Sequence, residues 1–590
     1  MYAFAYRQNY GTALLQSGYL IRSKLELETE IDHLKFYIQS ECSYDDGTHI
    51  DRERDQECNK MKNSRQIVLH KLYTLQRTIM DWNHFESMIH ELLVSTSSHA
   101  LVSIENRINE LNRHHHHHHH HHHRHLSEQE QERNTLGTPP RKDDTFSGPF
   151  LPFDTLSIEI NPVEKMIIAF AYSFNFNQNK RCTELDVVRD EALIINNNSS
   201  STTTNNDIMT TKPTVSLRIG FLSFDINDHP TAHLIEGIFK VIESKRKNKN
   251  KLFESLYTVI FSYGKNDASD YRKILQSSSD EFVDLVEKSH QDSIAIIRAY
   301  KLDIILDMQM YTLGHRAEIL ARCVSPIQIN YLVYPGTSGS SFLDTIVVDK
   351  IVAPPEHAIF FTEKLLILPT SYQVSYYDRY LDLTEFNNLL RHNNWHDYKM
   401  QLRTAYGLPM DPNAIVFCNF NKLDKLEPQS FKVWMQILAR VRNSYLWLLL
   451  PSQKKEKGKM VAENIKKYAF YFGIQQSRIL FARRVSKSEH IIRHFAADLF
   501  LDNLVYGAHS TATDSLRGVL PILTLTGKDF PSRVATSLYD SMRVHYSSSS
   551  SSSSDAKDLV FDHMVCYSCR EFEDLAVSFC DLGFDFYLFF

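Results

Sequence analysis

The hydrophobic pattern changes at about residue 217, where short apolar runs begin to alternate with longer amphipathic stretches. Nearly continuous apolar runs joined by helical patterns predict parallel β-sheets that are covered by helices on both faces. The predicted strands form a first series at 217–223, 303–308, 327–334 and 345–349, and a second at 415–420, 444–450, 478–481, 499–502 and 521–525. Because the polar stretch 376–400 separates the series, we expect two α/β lobes with a ligand cleft where the carboxyl ends of the strands meet.

The chain before residue 217 is organised differently. Between residues 64 and 95, apolar side chains recur at spacings of three and four, which predicts an amphipathic helix, more often packed on its own protein than on a partner. Residues 1–112 are expected to form a helical segment, followed by lobes at 148–400 and 401–590. Low-complexity insertions are expected at 113–147, which holds a polyhistidine run, at 196–212, which should be disordered, and at the Ser-rich 547–554.

Composition and charge narrow the class of protein. The 590 residues are 43% hydrophobic and carry a formal net charge of -6, which gives no electrostatic reason to expect binding to nucleic acid or to an anionic membrane. No apolar stretch reaches the roughly 18 residues of a membrane span, and the cysteines are too scattered for a disulfide framework. Cys566 and Cys569 form a lone C-x-x-C, so no metal site is expected. These features favour a soluble, intracellular protein.

Four clusters of polar residues follow predicted strands. The first, 225–233, contains His229 before a proline, and Thr231, which can cap the following helix. A histidine suits proton transfer or hydrogen bonding to a reacting hydroxyl, although a structural loop histidine is the more common outcome. The second cluster, 334–339, contains Gly336 in a Pro-Gly turn, whose amides can face a polar ligand or simply end the strand.

The other two clusters lie in the second series. The third, 418–425, ends at Lys425, whose ammonium can neutralise a diphosphate or remain a solvated surface charge. The fourth begins with the capping-box pattern S-x-x-E at 486–489, which starts a helix carrying His490, Arg493 and His494. It continues at 506–514, where hydroxyls and free amides at a helix start form an anion site and Asp514 can accept from ribose hydroxyls. Together these clusters predict a nucleoside-diphosphate pocket, although the sequence contains neither G-x-G-x-x-G nor G-x-x-x-x-G-K-S/T.

These motifs resemble the catalytic region of the O-linked N-acetylglucosamine (O-GlcNAc) transferase family, nucleocytoplasmic enzymes that glycosylate Ser and Thr of proteins. The resemblance rests on LRIGFLS-x-D-x-x-x-HPTAHL at 217–234, PIQINYLVYPGTSG at 326–339, CNFN-x-L-x-K at 418–425 and YGAHSTATDSL at 506–516. It implies a GT-B fold with two Rossmann-like lobes, UDP held mainly by the C-terminal lobe, and inversion at the sugar carbon without a metal. The implied substrates are UDP-N-acetylglucosamine (UDP-GlcNAc) and Ser/Thr-containing proteins. Few or no tetratricopeptide repeats are readable upstream.

The resemblance also implies roles for individual residues. His229 would act in catalysis as a positioning group or as a base, and Lys425 would stabilise the departing diphosphate. Gly336 and Thr337 would lie near the donor sugar. The full set of implied donor-binding residues is Gly336, Thr337, Asn421, Lys422, Lys487, His490, Arg493, His509, Ser510, Thr511 and Asp514.

Some positions depart from the family pattern. Lys422 stands where animal members have Gln, Asp303 where they have a second histidine, and Arg517 where a Trp is usual. A terminal helix of the family is expected to be missing because the chain ends at Phe590. The nearest alternative function is protein O-fucosylation from GDP-fucose, although the intact His-Pro-Thr at 229–231 favours the GlcNAc type. The third alternative is an inactive glycosyltransferase-like scaffold.

Overall fold

The computed structural model describes residues 151–176, 217–377, 395–450, 455–549 and 563–581, together with single helical positions at 62, 66, 69, 92 and 96. The expected insertions at 113–147 and 196–212 lie outside the described residues, as do most of the N-terminal helical segment and residues 550–554 of the Ser-rich tract. The fold can therefore be compared with expectation mainly over the two lobes.

In the described part of the chain, the first lobe is built on a seven-stranded parallel sheet of order β3-β2-β1-β4-β5-β6-β7. Its strands are β1 Leu217–Ser223, β2 Leu256–Ser262, β3 Glu281–Asp284, β4 Ile304–Asp307, β5 Ile327–Asn330, β6 Thr345–Asp349 and β7 Lys364–Leu368. Two helices precede it, α1 Pro152–Thr155 and α2 Pro162–Ser173. The helices that follow β1, β2, β3 and β4 are α3 Pro230–Lys247, α4 Lys251–Glu254, α5 Asp270–Ser278, α6 His290–Ala299 and α7 Ala317–Leu320.

The second lobe carries a six-stranded parallel sheet, again within the described residues, of order β10-β9-β8-β11-β12-β13. Its strands are β8 Ile415–Asn419, β9 Ser444–Leu449, β10 Ile479–Ala482, β11 Leu499–Leu501, β12 Ile522–Leu525 and β13 Val565–Cys566. Its helices are α8 Trp395–Tyr406, α9 Pro428–Arg440, α10 Lys455–Tyr471, α11 Lys487–Arg493, α12 Ser510–Arg517, α13 Val534–Ser549 and α14 Cys569–Asp581. This strand order is that of the doubly wound Rossmann fold, so the predicted fold class is confirmed.

Apolar side chains on both faces explain why these segments form strands. In β9, Leu446, Leu448 and Trp447 are at most 2% exposed, and Trp434 of α9 is fully buried against the same core. A strand of this kind is stable only where helices cover both faces of its sheet. Helix α13 extends to Ser549, so its last residues include the beginning of the Ser-rich tract.

The structure shortens one predicted strand and adds strands to both series. The segment predicted at 327–334 ends as a strand at Asn330, because beyond Tyr331, whose amide still bonds to Asp307, the chain turns back on itself. Its apolar side chains are buried in a loop instead. The strands β2, β3, β7 and β13 are additional to the predicted series. Strand β3, with the sequence EFVD, has only two apolar residues, whereas the edge strand β7 has the apolar run Leu365–Leu368 but is partly exposed.

Helix α2 packs against the loop after β5. Gly339 has a φ of +65°, and a Cβ at this position would lie 2.1 Å from the backbone nitrogen of Phe170. Only glycine permits both the backbone conformation and this close approach. From the same helix, Lys165 Nζ lies 2.5 Å from Asp529 Oδ2 of the second lobe. The segment before β1 therefore contacts both lobes.

Helix α8 spans the expected lobe boundary at residue 400. Lys399 and Arg403 both form ion pairs with Asp498, which lies immediately before β11. These contacts attach the helix to the second lobe.

None of the described helices is both long and apolar enough to cross a membrane. Among the described cysteines, Cys418, Cys566, Cys569 and Cys580 are free thiols, and Cys323 is disulfide-bonded.

Candidate active site

The first three predicted clusters follow the carboxyl ends of β1, β5 and β8, and the fourth follows β10 with its first part and β11 with its second. In both sheets the strand order reverses at one point, between β1 and β4 in the first lobe and between β8 and β11 in the second. Ligands of doubly wound sheets bind in the crevice outside the carboxyl ends of the strands at such a switch point. The clusters at β8 and β11 lie beside the second switch point, and the first follows β1 at the other.

Lys425 lies in the turn after β8. Its ammonium donates to the carbonyl oxygen of Gly507 at 3.1 Å and lies 3.9 Å from the ring centroid of Tyr506. It forms no ion pair with any described carboxylate. Burial lowers the pKa of Lys425 to about 8, against the opposing effect of Asp424 and Asp502. A half-buried cation without a bonded counter-ion favours an anionic ligand at this position.

The start of α12 provides hydrogen-bond donors beside this lysine. The backbone amides of Ser510 and Thr511 donate to no acceptor within the described residues. His509 precedes them, and its Nε2 lies 3.0 Å from the carbonyl oxygen of Pro531. Because a carbonyl can only accept, Nε2 carries the ring proton and Nδ1 is left as an acceptor. Burial and the charge of Lys425 lower the pKa of His509 well below its usual value, so the ring is neutral.

A second cluster surrounds Asp514 one turn into α12. Its Oδ1 accepts from Lys487 Nζ at 2.5 Å, and its Oδ2 lies 3.5 Å from His490 Nε2. The carboxylate is 3% exposed, so the lysine covers it in this state. Burial and the neighbouring His494 and Arg493 lower the pKa of His490 well below its usual value. Lys487 and His490 therefore meet the carboxylate that was predicted to face the ribose.

Two predicted donor-binding residues are almost completely buried. Arg493 is 1% exposed, donates to the carbonyl of Arg483, contacts His490 Nδ1 and stacks over Phe420 at 4.3 Å. Asn421 is also 1% exposed. Its amide donates to Asn503 at 2.7 Å, and its carbonyl oxygen accepts from Thr511. Arg493 therefore contacts His490, and Asn421 contacts Thr511, so both buried side chains support other predicted donor-binding residues.

His229 begins α3 at the other side of the cleft. It is the N-cap, and Pro230 occupies the first helical position. Its Nδ1 lies 3.4 Å from the amide nitrogen of Thr231 and 3.5 Å from Asp225 Oδ2. The expectation that Thr231 caps this helix is therefore wrong, because the proline keeps the residue before it extended and so makes His229 the cap. Nε2 has no partner among the described residues.

The charge environment of His229 links the two lobes. Its pKa is lowered by burial, and the charge of Lys422 in the second lobe lowers it further, against the opposing effect of Asp225. Lys422 is exposed at the start of the turn that carries Lys425. A neutral imidazole thus faces a positively charged turn across the cleft.

Gly336 and Thr337 lie beside residues of the second lobe. They line a cavity with Leu156, Phe530 and Pro531, the residue whose carbonyl holds His509. The hydroxyl of Thr337 lies 2.7 Å from Glu363 and 3.2 Å from the Thr362 hydroxyl. The Thr337 hydroxyl therefore stabilises the loop after β5 by contacting Thr362 and Glu363.

Sequence reasoning missed two supporting residues. Asp502 follows β11 and accepts from the amide of Ala508 at 2.7 Å and from Thr524 at 2.8 Å. Burial raises the pKa of Asp502 to about 6. Tyr377 donates to Asp514 Oδ1 at 2.5 Å from the segment between the lobes. An acidic residue directly after a strand was a readable signal for Asp502, whereas Tyr377 had no local signal.

Comparison with known proteins agrees with this geometry. The model of glycosyl transferase family 41 matches residues 189–394 and 391–558, which is more than half of the chain. The chain belongs to glycosyl transferase family 41. Its four motif clusters and both Rossmann-like sheets fall within or beside the matched residues.

Curated relatives of this family 41 chain include probable UDP-N-acetylglucosamine–peptide N-acetylglucosaminyltransferases from plants and animals. SEC of Arabidopsis thaliana is 34% identical over 323 residues, which is 55% of this chain and 30% of that protein. The Caenorhabditis elegans enzyme is 28% identical over 427 residues, 54% of this chain and 35% of that protein. SPINDLY of Arabidopsis thaliana is 23% identical, over 55% of this chain and 33% of that protein. The chain thus spans about a third of the length of the curated relatives it matches.

Solved structures support the same architecture. An O-GlcNAc transferase mutant of Thermobaculum terrenum superposes with a TM-score of 0.57 at 15% identity, covering 98% of this chain and 90% of that one. At this identity the similarity shows the family 41 fold alone.

Proposed function

We propose that this family 41 protein transfers N-acetylglucosamine from UDP-GlcNAc to Ser or Thr hydroxyls of proteins, with inversion at the sugar carbon. The observation that carries the proposal is the pairing of Lys425, which lacks a bonded counter-ion, with the free amides of Ser510 and Thr511 at the switch point. This arrangement suits a diphosphate. The sugar and the peptide acceptor of the proposal follow the names of the relatives from Arabidopsis thaliana and Caenorhabditis elegans.

The reaction needs an acceptor oxygen in line with a departing diphosphate. The new bond forms between the Ser or Thr oxygen and the sugar carbon while the bond from that carbon to the UDP oxygen breaks, and the hydroxyl proton leaves for a base or water. Negative charge grows on UDP, where Lys425 and the positive end of the α12 dipole would stabilise it. Holding both reactants in one cleft supplies the alignment.

His229 is placed to act on the acceptor side. Its lowered pKa makes the imidazole neutral near pH 7, and Nδ1 is occupied by the α3 N-terminus. Nε2 is therefore the atom that can hydrogen-bond the acceptor or sugar, either as a positioning group or as a base. Asn421, Arg493 and Thr337 would support the donor site indirectly, and Lys422, His509 and Gly336 would border the donor.

We also propose the context of this activity. The protein would act in the cytoplasm or nucleus on protein acceptors, without nucleic acid or membrane partners. Transfer would need no metal ion.

Donor choice is testable directly. The full chain would be incubated with radiolabelled UDP-GlcNAc or GDP-fucose, a Ser/Thr acceptor peptide and EDTA. We expect label transfer from UDP-GlcNAc in both the presence and absence of EDTA. Label transfer from GDP-fucose alone would identify GDP-fucose as the sugar donor instead. Tight UDP binding without any transfer would favour an inactive scaffold.

The pH dependence of UDP binding tests the role of Lys425. Its pKa of about 8 in the free protein must rise when a diphosphate binds, because the ligand stabilises the charged form. Affinity should therefore be constant near pH 7 and fall by up to about tenfold per pH unit above pH 8, where binding requires proton uptake. Calorimetric titrations with UDP between pH 7 and pH 9.5 measure this fall.

The matched variant is Lys425→Arg, whose guanidinium stays charged over this range. Its UDP affinity should not fall between pH 8 and pH 9.5. An equal fall in the variant would assign the pH dependence to another group.

A further inference from the structure

We propose that Tyr377 is a positioning residue for the donor, which holds Asp514 in the orientation that meets the ribose hydroxyls. This inference rests on the proposed function, in which Asp514 faces the ribose of UDP. Tyr377 lies in the segment between the lobes, 137 positions before Asp514, and the phenol reaches the carboxylate through a direct hydrogen bond.

The hydrogen bond is short and well enclosed. The Tyr377 hydroxyl lies 2.5 Å from Asp514 Oδ1 and 2.8 Å from Thr513 Oγ1. The Thr513 hydroxyl donates its proton to the carbonyl of Ser510, so towards Tyr377 it can only accept. The phenol proton can therefore go to Thr513 or to the Asp514 carboxylate, and the carboxylate oxygen is the nearer acceptor. Tyr377 is 9% exposed and packs against Ile491 of α11. The phenol hydroxyl that donates this hydrogen bond is therefore fixed in place.

Tyr377 and Lys487 share the same carboxylate oxygen but differ in mobility. Lys487 has a flexible stem and covers Asp514, so it has to move before a ribose can reach the carboxylate. Tyr377 approaches from the buried side and can remain bonded while the nucleotide enters. A carboxylate has about four acceptor positions, so one bond from Tyr377 leaves capacity for ribose hydroxyls.

Positive charge surrounds the Tyr377 ring. The ammonium of Lys487 lies 5.6 Å and the guanidinium of Arg517 6.0 Å from the ring centroid, both within cation–π range. Arg517 stands at the position where a Trp is usual in the O-GlcNAc transferase family. The cations keep the ring in contact with α11 and α12, the two helices that would line the nucleotide.

The segment that carries Tyr377 is bonded to both lobes. The amide of Tyr372 donates to Asp349 of β6 at 2.9 Å, and the amide of Ser371 donates to Ser541 of α13 at 2.6 Å. Ser537 of α13 also donates to Asp349 at 2.7 Å. The position of the Tyr377 hydroxyl therefore depends on both lobes together, so this residue couples their arrangement to the ribose contact.

The test compares the affinities for UDP and 2′,3′-dideoxy-UDP by calorimetry in the full chain and two variants. Tyr377→Phe removes only the hydroxyl. Tyr372→Phe makes the same chemical change at a buried tyrosine whose hydroxyl has no hydrogen-bond partner among the described residues. We expect the unsubstituted protein to prefer UDP, the preference to fall about tenfold in Tyr377→Phe, and no change in Tyr372→Phe.

The preference is a ratio measured on one sample, so a partly unfolded variant lowers the number of sites without changing the ratio. An undiminished preference in Tyr377→Phe, or an equal loss of both affinities, would overturn the positioning role and leave the proposed function standing. An unsubstituted protein that binds both nucleotides equally would overturn the ribose contact and this inference together. Absence of UDP binding would overturn the proposed function itself.

Discussion

Replacing Lys425 by Ala is expected to lower kcat for transfer from UDP-GlcNAc by about 10²–10³-fold, the effect of removing one donor from a developing negative charge. The ammonium is half-buried and contacts the Gly507 carbonyl and the Tyr506 ring, and no described carboxylate forms an ion pair with it. Its attraction for UDP grows as the sugar–oxygen bond breaks. The loss should therefore fall on kcat more than on KM.

Steady-state assays with an acceptor peptide measure this loss. Lys432→Ala, an exposed lysine on α9 of the same lobe, serves as the control and should keep full activity. Thermal unfolding of Lys425→Ala should differ little from that of the unsubstituted protein, because losing two contacts is offset by no longer burying a charge. More than half of the original kcat in a folded Lys425→Ala would show that another group stabilises the leaving diphosphate.

Replacing Asp498 by Asn is expected to destabilise the second lobe by about 3–5 kcal/mol, because it leaves buried cations without their partner. Arg403 is 2% and Lys399 11% exposed at the side chain, and both bond to Asp498 at 2.6 Å. The same carboxylate accepts the amide of Val416 in β8 at 2.6 Å. One residue thus joins α8 to two neighbouring strands of the sheet.

The chain offers a matched comparison for Asp498→Asn. Arg440 and Asp574 also lie 2.6 Å apart, but their side chains are 42% and 50% exposed. Asp574→Asn should cost at most about 1 kcal/mol, since water screens the pair. Urea unfolding followed by fluorescence measures both variants, and equal shifts would mean that burial does not set the strength of these pairs.

The sequence determined the positions of the clusters more accurately than the ends of the strands. The strands predicted at 217–223 and 345–349 match β1 and β6 residue for residue, because their apolar runs are buried in the sheet. The prediction at 327–334 was too long, since apolar side chains are also buried in loops. Periodicity reports burial, and burial alone does not distinguish a strand from a packed turn.

Capping showed a similar limit at two helices. Ser486 is the N-cap of α11 as the pattern at 486–489 predicts, and its side chain accepts from the amide of Glu489 at 3.3 Å. At α3 the proline after His229 outweighed the usual preference for threonine as the cap. A local rule predicts a helix start well only when no neighbouring residue restricts the backbone more strongly.

By itself, the sequence determined the alternating pattern that makes two parallel sheets and the placement of polar clusters at the carboxyl ends of their strands. Only the tertiary structure decided which side chains share hydrogen bonds, as for Tyr377 with Asp514 and Lys165 with Asp529, 137 and 364 positions apart. It also decided that Arg493 and Asn421 are almost completely buried and contact His490 and Thr511 respectively. Strand formation depends on periodicity within a few residues, whereas hydrogen-bond partners depend on how whole lobes pack and so leave no local signal in the chain.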